Sequence, residues 1–209
     1  MRFFKTPSLL SALLPTLNWR RPVTENIIYL TFDDGPIPEV TDFVLQALAR
    51  YNAQATFFCV GENLFKYPDI AQKVAAAGHS LGNHTYNHLK GWKTTTVEYF
   101  ENIKKCDKEL DKLKLSSAAR LFRPPHGRFT CQQYHLIKTK YQIIMWEVLT
   151  YDFDAQLTLE VCLNKAISNT KPGSIVVLHD SLKARRNLEY VLPRYLAHFS
   201  GLGFQFKAL

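Results

Sequence analysis

The sequence predicts an α/β fold in which parallel strands alternate with helices. Short apolar runs of β-forming residues recur along the chain, and stretches with helical periodicity separate them. Gly78 and Gly173 stand where two of these helices should end. Polar residues capable of chemistry directly follow most of the apolar runs. The carboxyl ends of parallel strands meet on one face, so these residues can form one site.

Length and composition favour a single domain without a membrane span. The chain has 209 residues, of which 46% are hydrophobic, which suffices for one core. No window approaches the ~20 consecutive apolar residues that cross a bilayer. The formal net charge is +8, but the cations are dispersed instead of clustered as in nucleic-acid-binding modules. We therefore expect neither a transmembrane segment nor a nucleic-acid partner.

Residues 1–25 form a predicted amphipathic extension that contains a short helix. Its leucines recur at spacings of three and four, which is typical of one helical stripe: Leu9, Leu10, Leu13, Leu14 and Leu17. We expect this stripe to pack against the domain. The alternative is a peripheral membrane anchor that uses the stripe together with Arg20 and Arg21.

The same segment fits a signal peptide poorly. Ser8 and Ser11 interrupt the apolar run, Pro15 ends it, and no small-residue cleavage site follows. We expect a cytoplasmic protein, with an exported or membrane-peripheral location as the alternatives. The oligomeric state is not predicted.

The remaining residues, 26–209, are predicted to form one continuous domain, since no repeat or linker interrupts them. The predicted strands are 27–32, 55–60, 80–81, 120–122, 142–146 and 174–178. The predicted helices are 39–51, 67–77, 96–113, 131–138, 158–169 and 187–199, the last with a kink at Pro193.

Two adjacent carboxylates, Asp33 and Asp34, end the first predicted strand. Burying two like charges there is costly without a nearby cation, which a metal ion would supply. The alternative is a turn in which both side chains only bind local amides, with Gly35 and Pro36 as turn formers. In the metal hypothesis one carboxylate is a ligand, while its neighbour acts as a general base.

His84 and His88 are the candidate partners of that carboxylate. Four residues apart, they would share one face of a helical turn and bind one metal. Alone, such a pair is more often a surface coincidence. Two imidazoles and one carboxylate leave open positions for water and substrate on a zinc-like ion, and Asp34 is the candidate third ligand.

A proline-stiffened loop, Arg123 to Gly127, and the end of the last strand, His179, complete the set of polar clusters. The guanidinium suits a bidentate contact with a carboxylate, and the loop can present an amide to an oxyanion. An imidazole at the strand end can protonate a leaving amine. Each alone is better explained structurally, as a stiff loop and a core histidine. Their position beside the other clusters favours catalysis.

Together these motifs resemble the polysaccharide deacetylase family, or carbohydrate esterase family 4, which includes chitooligosaccharide, peptidoglycan and xylan deacetylases. The family's TFDDGP motif is intact at residues 31–36, and its H-[ST]-x-x-H motif at residues 84–88. The resemblance covers about residues 27–207. It implies an irregular parallel (β/α) barrel, to which we add the short N-terminal helix.

The resemblance implies a metal site and an acid–base pair. Asp33 would be the catalytic base and His179 the general acid. Asp34, His84 and His88 would bind one divalent ion, for which we expect Zn²⁺, with Co²⁺ or Ni²⁺ as alternatives.

The resemblance also implies supporting roles. Arg123 would orient the base, and Asp152 would steady both Arg123 and the acid. The amide of His126 would help to hold the oxyanion, while Leu178 and Phe153 would wall the acetyl methyl group. Three residues depart from the family's motifs, namely His126, Leu149 and Phe153. They fall on acyl and sugar positions, so they bear on the substrate more than on the reaction.

The predicted function is removal of N-acetyl or O-acetyl groups from an acetylated oligo- or polysaccharide. Exposed Tyr86, Trp92 and Tyr151 along a groove would favour sugar rings. A closed pocket would favour the first alternative, a metal-dependent amidase acting on a small non-sugar C–N substrate. The second alternative is a non-catalytic carbohydrate-binding relative, which the intact acid, base and ligand set disfavours, since binding alone needs none of them.

Overall fold

The computed structural model describes residues 2–113 and 120–209. Residue 1 of the predicted extension 1–25 and residues 114–119 of the predicted domain 26–209 lie outside the described residues. Within those ranges the strands are β1 (Ile27–Asp33), β2 (Ala55–Cys59), β3 (Ser80–Asn83), β4 (Leu121–Phe122), β5 (Gln142–Ile143), β6 (Val148–Leu149), β7 (Ile175–His179) and β8 (Gln205–Phe206). The helices are α1 (Ser8–Leu13), α2 (Val40–Ala49), α3 (Gly61–Lys66), α4 (Pro68–Ala76), α5 (Thr96–Lys112), α6 (Cys131–Ile137), α7 (Leu159–Asn169) and α8 (Arg185–Gly201).

The strands form one parallel sheet in the order β5-β4-β3-β2-β1-β7-β6, and β8 pairs with the start of β1. In the central strand, Thr31 lies opposite Thr56 of β2 and Val177 of β7. The sheet curls into an open half-barrel with helices around it, which confirms the predicted fold class. Because every neighbour in this order is parallel, the strands present their carboxyl ends at one edge.

The N-terminal segment connects the two ends of the curled sheet. Lys5 forms an antiparallel bridge with Val148 in β6, and Asn18 forms a parallel bridge with Ile144, just after β5. Leu17 is buried, as is Trp19. Backbone pairing and these two side chains therefore hold the segment against the barrel.

Helix α1 does not pack through its leucines. None of its residues, all of which the structure describes, is buried, and Leu9 and Leu13 are 71% and 69% exposed. The expectation that the leucine stripe packs against the domain is wrong for Leu9, Leu10, Leu13 and Leu14, and only Leu17, beyond the helix, is buried. The residues on either side of the helix make the attachment. No helix of the described residues combines the length and hydropathy of a membrane span.

The helices and strands differ from the predicted ones in a few places. The predicted strand 142–146 ends at Ile143, and α3, β6 and β8 were not predicted, being six, two and two residues long. Helix α8 runs through Pro193. The buried Leu192, Tyr195 and Leu196 around it keep the helix packed although proline removes one backbone hydrogen bond.

Candidate active site

A cavity of about 360 Å³ opens at the carboxyl edge of the sheet. Its lining residues lie at the ends of six strands or in the loops that follow them, namely β1, β3, β4, β5, β6 and β7. The lining residues are Asp33, Asp34, His84, His88, His126, Trp146, Leu149, Phe153, Val177, His179 and Lys183. The cavity therefore brings together residues that lie up to 150 positions apart in the sequence.

Asp34, His84 and His88 converge at one end of this cavity. The Oδ1 atom of Asp34 lies 3.3 Å from Nε2 of His88 and 3.8 Å from Nε2 of His84. One ligand atom from each residue lies within 4.8 Å of the other two. Tetrahedral ligands about 2.0–2.2 Å from one ion lie roughly 3.3–3.6 Å apart. The three side chains therefore fit a single divalent ion.

The two histidines do not lie on a helical turn, which corrects the sequence-based expectation. The chain leaves β3 and turns with positive φ at Thr85 (64°) and His88 (54°). Nδ1 of His84 donates to the carbonyl of Arg123 at 2.8 Å, so Nε2 stays free to bind a metal. Burial lowers the pKa of His84 to about 4, which keeps the imidazole neutral.

The loop that carries Asp34 is held in a conformation uncommon for a side-chain-bearing residue. Asp34 has φ 82°, and its carbonyl accepts a hydrogen bond from Nδ2 of Asn63 at 2.8 Å. Gly35 lies against the Asp180 carboxylate, whose Oδ1 accepts from the Gly35 amide at 3.0 Å. Although burial opposes ionisation, nearby histidines, led by His179, lower the pKa of Asp34. The strained loop thus presents a charged carboxylate to the cavity.

Asp33 is fixed by the fully buried guanidinium of Arg123. Nη1 donates to Oδ1 of Asp33 and to Oγ1 of Thr31, both at 2.7 Å. The predicted bidentate contact is wrong, because Nη2 donates instead to the carbonyl of Met145 at 2.9 Å. Oδ2 of Asp33 is therefore left facing the metal ligands, 4.0 Å from Nε2 of His84.

Asp152 binds His179 with both carboxylate oxygens. Oδ1 lies 2.7 Å from Nδ1 of the ring, and Oδ2 accepts the His179 amide at 2.7 Å. Burial disfavours the imidazolium, yet Asp152 outweighs it and raises the pKa of His179 to about 9. Among the described contacts none joins Asp152 to Arg123, so the expected support of Arg123 is not seen. His179 is held protonated, with Nε2 left for the cavity.

His126 forms the wall beside the predicted metal ligands. Its ring lies between those of His88 and Trp92, at centroid distances of 4.9 and 5.5 Å. It has φ 57°, and its amide N–H has no hydrogen-bond partner among the described residues. A free amide here can donate to an anionic oxygen in the cavity.

Two residues expected to contact substrate lie elsewhere. Leu178 is 1% exposed and packs in the core, because side chains alternate along β7 and Val177 and His179 face the cavity instead. Tyr86 is also buried, with the ammonium of Lys105 3.7 Å from its ring centroid. Both expectations are wrong, because each side chain is buried in the protein and does not line the cavity.

Phe153 does line the cavity, with its ring centroid 4.8 Å from that of His179. Leu149, which was also expected at an acyl or sugar position, lines it too. Three other lining residues were not predicted from the sequence: Trp146, Val177 and Lys183. Strand alternation with His179 would have found Val177. No feature of the sequence distinguishes Lys183 from other surface lysines, since it is an exposed residue in a loop.

Comparisons with known proteins agree with this geometry. The family model described as "Polysaccharide deacetylase" matches residues 20–142. A "Peptidoglycan-N-acetylglucosamine deacetylase" of Bacillus cereus is 35% identical over 161 residues, which cover 77% of this chain and 58% of that protein. This chain thus spans somewhat more than half of that relative.

Two further relatives match over most of their lengths. A "Chitooligosaccharide deacetylase" of Azorhizobium caulinodans is 36% identical over 163 residues, which cover 76% of each chain. A crystal structure of a peptidoglycan N-acetylglucosamine deacetylase, in complex with 4-naphthalen-1-yl-N-oxidanyl-benzamide, superposes with a TM-score of 0.87 at 30% identity. That match covers 98% of this chain and 95% of the other.

Proposed function

Because this chain belongs to the polysaccharide deacetylase family, we propose that it is a metal-dependent hydrolase that removes N-acetyl groups from an acetylated carbohydrate. One observation carries the proposal. Asp34, His84 and His88 share a cavity with a fixed carboxylate, Asp33, and with a protonated imidazole, His179. Amide hydrolysis needs a base for water and an acid for the amine, and both flank the same cluster.

The metal would be held by Asp34, His84 and His88. Two neutral imidazoles and one carboxylate suit Zn²⁺ and leave open positions, and Co²⁺ or Ni²⁺ accepts the same donors. When bound, such an ion polarises the acetyl carbonyl and acidifies water. The hydrogen bond from His84 to the Arg123 carbonyl supports this role, since it orients the ring towards the other ligands.

Asp33 would act as the base. Arg123 occupies Oδ1 and prevents the carboxylate from rotating, while Oδ2 remains towards the cavity. That oxygen can take the proton of the attacking water. Arg123 itself is too deeply buried to reach substrate, so its role is to position Asp33.

His179 would act as the acid. The departing amine is a poor leaving group unless it is protonated as the C–N bond breaks. Oδ1 of Asp152 accepts a hydrogen bond from Nδ1 and stabilises the imidazolium, so Nε2 carries the proton that the amine needs. The His126 amide would stabilise the negative oxygen of the tetrahedral intermediate.

The other walls suit an acetylated sugar. Leu149, Phe153 and Val177 supply apolar surface near His179, where the acetyl methyl group would lie. Trp92 stands next to His126 with 37% of its surface exposed, so its ring can stack on a pyranose. Relatives named for peptidoglycan and chitooligosaccharides indicate N-acetylglucosamine-containing substrates.

An acetate-release screen tests the proposal. The full chain is loaded with Zn²⁺ and assayed on chitooligosaccharides, peptidoglycan fragments and acetyl-xylan, with formate release measured from small formamides. We expect acetate from at least one N-acetylated glycan, and loss of that activity on chelation. Turnover of formamides alone would replace the proposal with a small-amide amidase. Binding of chitin fragments without any acetate release would identify a non-catalytic relative.

A further inference from the structure

Helix α1 is oriented with its apolar side towards solvent. Leu9 and Leu13 are 71% and 69% exposed, and Leu10 and Leu14 are each 43% exposed. These four residues form the leucine surface. At 3.6 residues per turn, Leu9 and Leu13 lie roughly opposite Ser8 and Ser11. The two serines line a groove between the helix and the barrel. An isolated soluble domain would be expected to have the opposite orientation.

Cations gather in the groove behind the helix. Lys5, Arg20 and Lys171 surround a single carboxylate, that of Glu147, at N–O distances of 3.9, 3.8 and 3.1 Å. The three cationic side chains are 44–46% exposed, whereas the carboxylate is 10% exposed. The exposed side of this cluster is therefore positive, in a chain with a formal net charge of +8.

We propose that this region docks on the surface of an anionic lipid bilayer. The leucine surface would enter the boundary between headgroups and acyl chains, where an amphipathic helix buries its apolar side by about 5–10 Å. Lys5, Arg20 and Lys171 line the groove on the opposite side of the helix, from which their long side chains would reach towards the lipid phosphates in that orientation. An anionic bilayer fits both the leucine surface, through its acyl chains, and the cationic groove, through its negatively charged headgroups.

A second copy of the chain fits less well. Helix α1 has six residues and is about 9 Å long, so contact through it buries far less than the roughly 800 Å² per partner of a stable dimer.

The helix is ready for docking without refolding. The amide of Thr6 donates to the carbonyl of Glu147 at 2.8 Å before the helix, and that of Met145 donates to the carbonyl of Asn18 at 2.8 Å after it. Both ends are thus attached to the barrel, and the exposed leucines are displayed on a fixed element. Because the segment is already ordered, binding costs little further conformational entropy.

The surface also lies near the catalytic cavity. The ring of Phe4 contacts Tyr151 at 5.0 Å, Tyr151 contacts Phe153 at 5.6 Å, and Phe153 contacts His179 at 4.8 Å, all between centroids. Docking would therefore keep the cavity close to the bilayer surface.

Vesicle flotation of the full chain tests the proposal. We expect binding to vesicles of 70% phosphatidylcholine and 30% phosphatidylglycerol, and much weaker binding to pure phosphatidylcholine. The double substitution Leu9→Ser/Leu13→Ser should weaken binding by roughly tenfold or more, since each leucine loses apolar burial. Lys5→Gln/Lys171→Gln should reduce the preference for anionic vesicles.

A matched control is Phe65→Ser/Leu202→Ser, which removes two apolar residues that are 62% and 57% exposed outside the leucine surface. It should bind vesicles like the wild type, and all variants should keep the wild-type circular dichroism and melting temperature. Failure of the wild type to float, or unchanged flotation of Leu9→Ser/Leu13→Ser, overturns the proposal. So does a vesicle-free dimer in sedimentation that the leucine substitutions abolish, because the surface would then join two copies.

Discussion

The Asp152 carboxylate accepts two hydrogen bonds from a single residue, one from the ring Nδ1 of His179 and one from its amide, each at 2.7 Å. The ring is thereby fixed in one orientation, with Nδ1 directed at Asp152 and Nε2 at the cavity. The same carboxylate is the main reason why the pKa of His179 is raised to about 9, since burial alone would lower it. One neighbour thus fixes the position of the proposed acid and contributes most to its protonation, to which Asp34 and Asp33 add.

Asp152→Asn should move the alkaline limit of activity to lower pH. The acid acts when protonated, so kcat/KM falls as pH rises through the pKa of His179. Without the negative charge, burial lowers that pKa, and at pH 8 we expect a loss of roughly 100-fold or more. The measurement is a pH profile of kcat/KM with metal content as control. An unshifted alkaline limb would exclude His179 as the acid that Asp152 supports.

Asp33→Asn and His84→Ala should separate catalysis from metal binding. Asp33 is proposed as the base and not as a ligand, so Asp33→Asn should lower acetate release by about 10²–10⁴ while the metal stays bound. His84→Ala removes a buried ligand, so this variant should lose both the bound metal and acetate release. Metal stoichiometry and acetate release are measured on the same samples. A fully active Asp33→Asn protein would refute the assignment of the base.

Much of this site could be predicted because its residues sit at strand ends. Asp33 and His179 each end an apolar run, and parallel strands β1 and β7 then place them side by side, in register. The conformation around His84 and His88 could not be predicted from their spacing. Their turn depends on positive φ values and on a hydrogen bond to the carbonyl of Arg123, 39 positions away.

The orientation of individual side chains could not be predicted from the sequence either. The period of the leucines predicted helix α1 but not the side that it turns to the barrel, which depends on bridges from Lys5 and Asn18 to distant strands. Similarly, Leu178 and Val177 are equally apolar, and only the register of β7 decides that Val177 faces the cavity.

Arg123→Met should destabilise the metal-free protein by about 3–5 kcal/mol, because it leaves the Asp33 carboxylate buried without its cation. Adding Asp33→Asn should recover part of that loss, since the remaining side chain is then neutral. Urea denaturation of the wild type, both single variants and the double variant gives the coupling free energy. Simple additivity would show that the pair is not coupled and that Arg123 does not position Asp33 electrostatically.

The last prediction concerns Asp180, a fully buried carboxylate behind the proposed metal ligand Asp34. Its two oxygens accept hydrogen bonds from the Gly35 amide at 3.0 Å and from Oγ1 of Thr41 at 2.7 Å. Burial is the main cause that raises its pKa to about 8. The folded protein therefore holds a proton on Asp180 at pH values where the unfolded chain, with an ordinary aspartate, does not.

This difference makes folding less favourable as pH rises from about 4 to about 8, because the unfolded state gives up the proton first. Asp180→Asn keeps the acceptor for Gly35 and places an amide opposite Thr41. The substitution should therefore remove this pH dependence. Between pH 5 and pH 8, the free energy of unfolding of the metal-free variant should fall less than that of the metal-free wild type. The measurement is the free energy of unfolding in urea at the two pH values. If both proteins show the same change between pH 5 and pH 8, Asp180 is ionised in the folded state, and its two hydrogen bonds suffice to hold the charge behind the loop of Asp34.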